Sequence, residues 1–148
     1  MNILLFLALL ATCCGYSIAF GGAPERIAAA IFLVAVAATA IVGRVHFRQF
    51  SAPEIGISLV DLGTFAALMA LALKADRFWP MAIAACVGVG LMAHAAVLLA
   101  PGIIPSVYAT LHAFSAYPAL LILATGTYRH RKRSRTIGTE RSWSSSSA

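Results

Sequence analysis

Charged side chains are scarce in this sequence. Of its 148 residues only 11% are Asp, Glu, Lys or Arg, and the acidic ones number only five. Soluble domains contain about 25% charged and about 45–50% apolar residues, whereas 61% of this chain is hydrophobic. A soluble core of this length could not bury so much apolar surface. The composition therefore excludes the ordinary soluble globular class.

Recognisable catalytic and metal-binding motifs are also lacking. The three cysteines, Cys13, Cys14 and Cys86, all lie within apolar runs, and none has the spacing of a metal or redox site. Cys13 and Cys14 are adjacent, and disulfide geometry disfavours a bond between neighbours. The chain has no His-Glu-x-x-His, no phosphate-binding loop and no Gly-x-Ser-x-Gly. We read the cysteines as small buried residues and expect a protein without its own catalysis.

Long apolar runs dominate what is present. A helix needs about 20 mostly apolar residues to cross about 30 Å of hydrocarbon. Five runs approach this length, at residues 3–20, 27–43, 55–73, 80–100 and 106–128. The sequence predicts an all-α, polytopic transmembrane helix bundle of about five spans within residues 1–128. The first run has the alternative of a cleaved signal peptide, but Met1 and Asn2 supply no basic n-region, which favours a retained helix.

The positive charge is concentrated at the C-terminal end. The formal net charge is +6, and six of the eleven basic residues lie within residues 129–148. This segment is polar and serine-rich and cannot bury enough apolar area to fold alone, so we predict a disordered cytoplasmic tail. Its cations either act as a stop-transfer anchor that fixes the topology or bind anionic lipid, with a binding free energy of about 1 kcal/mol per charge. The candidate lipid-binding residues are Arg129, Arg131, Lys132, Arg133 and Arg135. This distribution does not indicate a nucleic-acid partner.

Three ionisable side chains fall inside the apolar runs, where charge is costly and marks candidate functional sites. Asp61, His94 and His112 each lie six residues from the outer end of their run. At 1.5 Å per residue, each lies about 9 Å below the same membrane boundary. Tyr108 and Ser115 share the face of His112 at helical spacing. The sequence therefore predicts one intramembrane polar cluster of these five residues.

The leading functional hypothesis is a small accessory or structural subunit of a larger membrane complex. In this hypothesis the polar cluster only holds helices in register, because unsatisfied polar groups are costly in lipid. The fourth run supplies small residues suited to close helix contact, Ala84 with Gly88 and Cys86 with Gly90. The expected partners are the lipid bilayer and other membrane protein subunits or a second copy of the chain.

Two other functions remain open for the same residues. His94 and His112 at one depth are the arrangement that bis-imidazole ligation requires, which would give a membrane electron carrier binding haem b or another metal. Alternatively, Asp61 is the proton carrier of a proton-coupled small transporter, with an imidazole as shuttle.

The last three runs carry a pattern that extends beyond single residues. It includes residues 60–68 (VDLGTFAAL), residues 71–80 (LALKADRFWP), His94, Tyr117-Pro118 and residues 126–131 (GTYRHR). This pattern resembles a family of small uncharacterised multi-pass proteins of bacterial inner membranes. The resemblance covers the third to fifth runs only. It implies a multi-pass topology in the inner membrane and brings no activity with it.

The distribution of Lys and Arg beside the runs predicts the orientation. The side that holds the tail also holds Arg26, Lys74 and Arg77, whereas the opposite side holds only Arg44 and Arg48. Cytoplasmic loops carry the excess of Lys and Arg, so the tail should be inside and the N-terminus outside. A reporter fused after the last residue should be active only if it is of a type that works in the cytoplasm. A periplasmic signal from that fusion would overturn the orientation.

Overall fold

The computed structural model describes residues 3–46, 53–75, 77–99 and 105–137, with side chains for 3–43, 55–75, 77–96 and 115–136. These residues form five helices, which confirms the predicted all-α chain. They are α1 (Ile3–Phe20), α2 (Ala23–His46), α3 (Pro53–Lys74), α4 (Trp79–Leu99) and α5 (Pro105–Ile137).

Four helices in the described part of the chain are long and apolar enough to cross a membrane. Their apolar segments are Ile3–Phe20, Ala23–Gly43, Ile55–Lys74 and Trp79–Ala96. The fifth predicted span, residues 106–128, falls within α5. The first side chains of α5 lie outside the described residues, so this span stays a prediction.

A tight turn separates α1 from α2. Gly21 donates its N–H to the carbonyl of Ser17 at 2.9 Å, and a Cβ on Gly21 would lie only 2.3 Å from that carbonyl oxygen. No side chain therefore fits at Gly21. The next helix begins at Ala23, earlier than the apolar run predicted, because Pro24 and Glu25 suit the first turn of a helix.

The fifth helix continues to Ile137, beyond the boundary predicted at Tyr128. Residues 129–137 are therefore helical, and the prediction of a disordered tail from residue 129 does not hold for them. Arg and Lys are good helix formers and are favourable near a helix C-terminus. Contacts outside the helix support this extension, because the Arg131 guanidinium lies 4.1 Å from the centre of the Phe20 ring. Residues 138–148 lie outside the described part of the chain.

Successive helices are neighbours, and α1 also packs against α5, so the bundle closes on itself. Its core is formed by buried side chains from every helix, including Leu10, Phe32, Leu68, Ile83 and Leu123. Large apolar side chains also cover the outside, among them Leu4, Val34, Leu73 and Met92. An apolar exterior of this extent suits contact with lipid rather than water.

Glycines and alanines bring the last three helices close together. A Cβ on Gly88 would lie 3.2 Å from the ring of Phe65 on α3, and one on Gly126 would lie 3.1 Å from the indole ring of Trp79. Ala84 and Gly90 of α4 are buried within the bundle. Helix α4 therefore uses its small residues for packing inside this chain.

The contact between Gly126 and Trp79 can be tested with a matched substitution. Gly126→Leu should lower the free energy of unfolding in detergent by about 1–3 kcal/mol, because the new side chain must displace the indole ring. Gly63→Leu should leave stability unchanged or raise it by up to about 1 kcal/mol, since leucine favours the helix over glycine and nothing lies within 4 Å of a Cβ at Gly63. Equal effects of the two substitutions would contradict this packing.

Candidate functional site

Asp61 on α3 and His94 on α4 are joined directly. Nε2 of His94 lies 2.7 Å from Oδ2 of Asp61, a distance typical of a charge-assisted hydrogen bond. The His94 side chain is only 3% exposed, and that of Asp61 is 18% exposed. The two residues, which the sequence predicted at the same depth in the membrane, are thus within hydrogen-bonding distance. Part of the Asp61 side chain remains accessible.

The accessible part of Asp61 faces a cavity of about 370 Å³. All five helices contribute to its walls, which are mainly aliphatic and aromatic. Among the described residues, its polar lining is limited to Asp61, Thr39, Thr64 and Ser115. Thr39 and Thr64 donate their hydroxyl protons to carbonyls one turn earlier, at 2.9 and 2.8 Å, and present lone pairs only. Among the described lining residues, Asp61 is the one ionisable group.

The structure describes the side chain of only one of the other three members of the predicted cluster. Ser115 lines the same cavity as Asp61, whereas the side chains of Tyr108 and His112 lie outside the described residues. Their membership of the cluster stays a prediction.

The cofactor hypothesis gains no geometric support from the described residues. Nε2 of His94, one of its two possible metal-binding nitrogens, is directed at Asp61. The described residues contain no group of three or more His, Cys, Asp or Glu side chains arranged to hold a metal ion. Because the side chain of His112 lies outside the described residues, haem or metal binding by His94 and His112 stays a prediction.

A second polar cluster, which the sequence analysis missed, lies at the opposite end of the bundle. Nη1 of Arg77 donates to Oε1 of Glu25 at 3.2 Å, and the two side chains are 8% and 0% exposed. Nη2 of Arg77 lies 3.2 Å from Nδ1 of His130. A guanidinium is always protonated, so Arg77 donates and His130 accepts. In this arrangement His130 is neutral, with its proton on Nε2, 3.5 Å from Oγ of Ser134.

The residues of this cluster were ambiguous in the sequence. Glu25 has the position of an acid that favours a helix N-terminus, and Arg77 has that of a topology signal. The available clue was that both belong to links on the same side of the predicted bundle. We refer to Glu25, Arg77 and His130 as the inner cluster, after the cytoplasmic side that the predicted orientation gives them.

A buried hydroxyl pair joins α1 to α5 near the inner cluster. Thr127 donates to the carbonyl of Leu123 at 3.0 Å, so its oxygen accepts from Oγ of Ser17 at 2.8 Å. Both Ser17 and Thr127 are fully buried. Polar contacts therefore connect α1, α2, the link before α4, and α5 at this end, whereas the Asp61 cavity occupies the other end.

The cations predicted to bind lipid are divided between two sides of α5. Arg129 and Arg133 line a groove of about 450 Å³ together with Arg77 and Trp79. Arg131, Lys132 and Arg135 line a different depression of about 410 Å³ beside Tyr16 and Tyr128. The five cations are thus not one continuous patch.

The two buried pairs should respond differently to removal of the acid. Glu25→Gln leaves the permanently charged Arg77 buried without its carboxylate and should cost about 3–5 kcal/mol of unfolding free energy. Asp61→Asn should cost only about 1 kcal/mol, because His94, unlike Arg77, can adopt a neutral form and hydrogen-bond the amide. Chemical denaturation in detergent measures both. A loss for Asp61→Asn as large as that for Glu25→Gln would mean that Asp61 and His94 form an obligatory structural ion pair.

No family model matches the chain, and neither a curated protein nor a solved structure matches it. Statements about its function therefore rest on the geometry of the described residues.

Proposed function

We propose that this protein is a small multi-pass protein of the bacterial inner membrane. It binds a small cation with apolar substituents beside Asp61 and exchanges this cation for a proton. The observation that carries the proposal is the double role of Asp61. One carboxylate oxygen is held by the buried His94 at 2.7 Å, and the side chain also lines the 370 Å³ cavity. A hydrogen bond that served only to join two helices would not need a cavity beside it.

The cavity has the properties of a small-molecule site. Such sites have volumes of about 300–1,000 Å³ and mostly apolar walls with a few polar groups that orient the ligand. Phe6, Phe32 and Val87 are among the apolar walls, and Asp61 is the one charged lining group of the described residues. This combination favours a ligand with apolar substituents and one positive charge, because the one charged lining group of the described residues is an acid.

Exchange with a proton follows from the chemistry of the pair. When the site holds no ligand, one additional proton resides on the pair, with His94 as imidazolium beside the Asp61 carboxylate. When the cation binds, Asp61 pairs with it, and His94 releases that proton and donates its remaining Nε2 hydrogen to Oδ2. The charge of the site is the same in both states, so neither state leaves an uncompensated charge in hydrocarbon.

The predicted orientation gives this exchange a direction. With the tail inside, the cavity lies in the outer half of the bundle and the inner cluster lies at the cytoplasmic end. Ligand and proton would then enter from the outer side. This orientation and the inner-membrane location are parts of the proposal.

The packing of α4 gives less support to the alternative function of an accessory subunit. That alternative drew on the small residues of α4 as a contact surface. Ala84 and Gly90 are buried within the chain, and Gly88 lies against Phe65 of α3. These residues are therefore engaged inside the bundle and do not support contact with another subunit.

Cation binding and proton release can be measured together. Full-length protein in a weakly buffered detergent solution should bind tetraphenylphosphonium saturably and release about one proton per bound cation, as the exchange requires. Asp61→Asn should abolish both signals while the protein remains folded. Glu140→Gln makes the same acid-to-amide change in the C-terminal segment and should leave both signals intact. Binding without proton release, or unchanged binding by Asp61→Asn, would refute the exchange.

A further inference from the structure

A groove with a basic rim and an apolar floor lies between the start of α4 and the C-terminal half of α5. It encloses about 450 Å³, and three guanidinium groups, those of Arg77, Arg129 and Arg133, line it. The described lining residues include no carboxylate. We infer that this groove binds one anionic phospholipid, with the phosphate held by the arginines and an acyl chain along the apolar floor.

One of the three cations is fixed before any ligand arrives. Arg77 is 8% exposed and is held through one nitrogen by Glu25 and through the other by His130, both at 3.2 Å. A side chain that is already ordered loses little conformational entropy on binding. Glu25 offsets one of the three positive charges.

The other two arginines are one helical turn apart on α5 and are exposed. Residues at i and i+4 lie on the same face of a helix, so both guanidinium groups approach the groove from one side. The planar guanidinium can donate two parallel hydrogen bonds to a phosphate. A lysine in the same place would act only as a point charge.

The groove changes from basic to apolar along its length. Ile122, Gly126, Arg129 and Arg133 follow one another along one stripe of α5 and span about 16 Å. Ala82 and the Trp79 ring, which packs on Gly126, form the opposite wall. A free phosphate would contact only the basic end, whereas a phospholipid covers both ends. The shape therefore favours the lipid as the source of the phosphate.

The remaining cations of this helical segment lack these features. Arg131 lies over the ring of Phe20, and Lys132 and Arg135 lie in the other depression beside Tyr128. The described residues of that depression include no buried, ion-paired arginine. The groove thus differs from a general attraction of basic residues to an anionic membrane. It also lies at the opposite end of the bundle from Asp61 and does not depend on cation exchange there.

Tryptophan fluorescence offers a direct measurement. The chain has two tryptophans, and Trp143→Phe leaves Trp79 as the reporter beside the groove. Full-length Trp143→Phe protein in a non-ionic detergent is titrated with a short-chain phosphatidylglycerol, and separately with phosphatidylcholine of the same chain length. The phosphatidylglycerol should give a saturable change in emission, and the phosphatidylcholine should not.

Paired substitutions on one helix then separate the site from diffuse electrostatics. Arg129→Gln with Arg133→Gln should raise the Kd for phosphatidylglycerol by about tenfold or more, as expected for two lost phosphate contacts. Lys132→Gln with Arg135→Gln removes the same charge and should change the Kd by less than about twofold, because neither lines the groove. Arg129→Lys with Arg133→Lys keeps the charge and should give an intermediate loss.

Specific results would overturn the inference. Equal weakening by the two glutamine pairs would show diffuse attraction, and no weakening by the Arg129 and Arg133 pair would remove the site. Displacement of the lipid by an equal concentration of inorganic phosphate would identify a phosphate site rather than a lipid site. Melting temperatures of both glutamine pairs measured without lipid should agree. If the glutamine variant of Arg129 and Arg133 melts at a lower temperature, the lysine variant of the same two residues provides the test. Phosphatidylglycerol binding by the lysine variant as tight as that of the unsubstituted protein would refute recognition by guanidinium groups.

Discussion

The ion pair between Glu25 and Arg77 constrains the rest of the bundle. A guanidinium cannot be neutralised by losing its proton, so a buried Arg77 requires a carboxylate wherever the link between α3 and α4 lies. Glu25 at the start of α2 supplies it at 3.2 Å, with its side chain fully buried. His130 then attaches α5 to the same guanidinium. One permanent charge thus fixes the relative positions of three segments that are far apart in the chain.

This constraint divides the molecule into two ends with different properties. At the inner end, the buried pair of Ser17 and Thr127 adds α1 to the segments already joined, and a Cβ on Gly22 would lie only 3.0 Å from the ring of His130. At the other end, the packing leaves the cavity that Asp61 lines. These contacts join four segments at one end of the bundle, so the proposed exchange of ligand and proton at the cavity does not require the helices to separate.

The helices and one contact of the site could be predicted from the sequence, for reasons of chain geometry. Apolar runs of about 20 residues locate helices, because a helix of that length spans the hydrocarbon and satisfies its own backbone, and the run 3–20 coincides with α1. Asp61 and His94 were placed at one level because depth depends only on the rise per residue. They lie on consecutive helices, which short links make neighbours. Depth and adjacency were sufficient for this pair.

Other features required information that the sequence does not display. Arg129 and Arg131 lie on different sides of α5. Their directions depend on the rotation of α5 about its axis, and this rotation is set by packing against α1 and α4. The extension of α5 beyond Tyr128 is accompanied by tertiary contacts of Arg131 and His130, whereas composition alone favoured disorder there. The inner cluster was missed because each of its residues already had an adequate local explanation.

The two buried acid–base pairs show why similar contacts have different consequences. Both join neighbouring segments of the bundle, and in both the basic partner is more than nine-tenths buried. Arg77 has one protonation state, so the inner pair can only be present or broken, and breaking it leaves a buried charge. His94 has two protonation states, so the outer pair can gain or lose a proton while its hydrogen bond is kept. The chemistry of the basic partner therefore favours a structural role for the pair of Glu25 and Arg77, and it makes the pair of Asp61 and His94, which borders the cavity, the site of the proposed exchange.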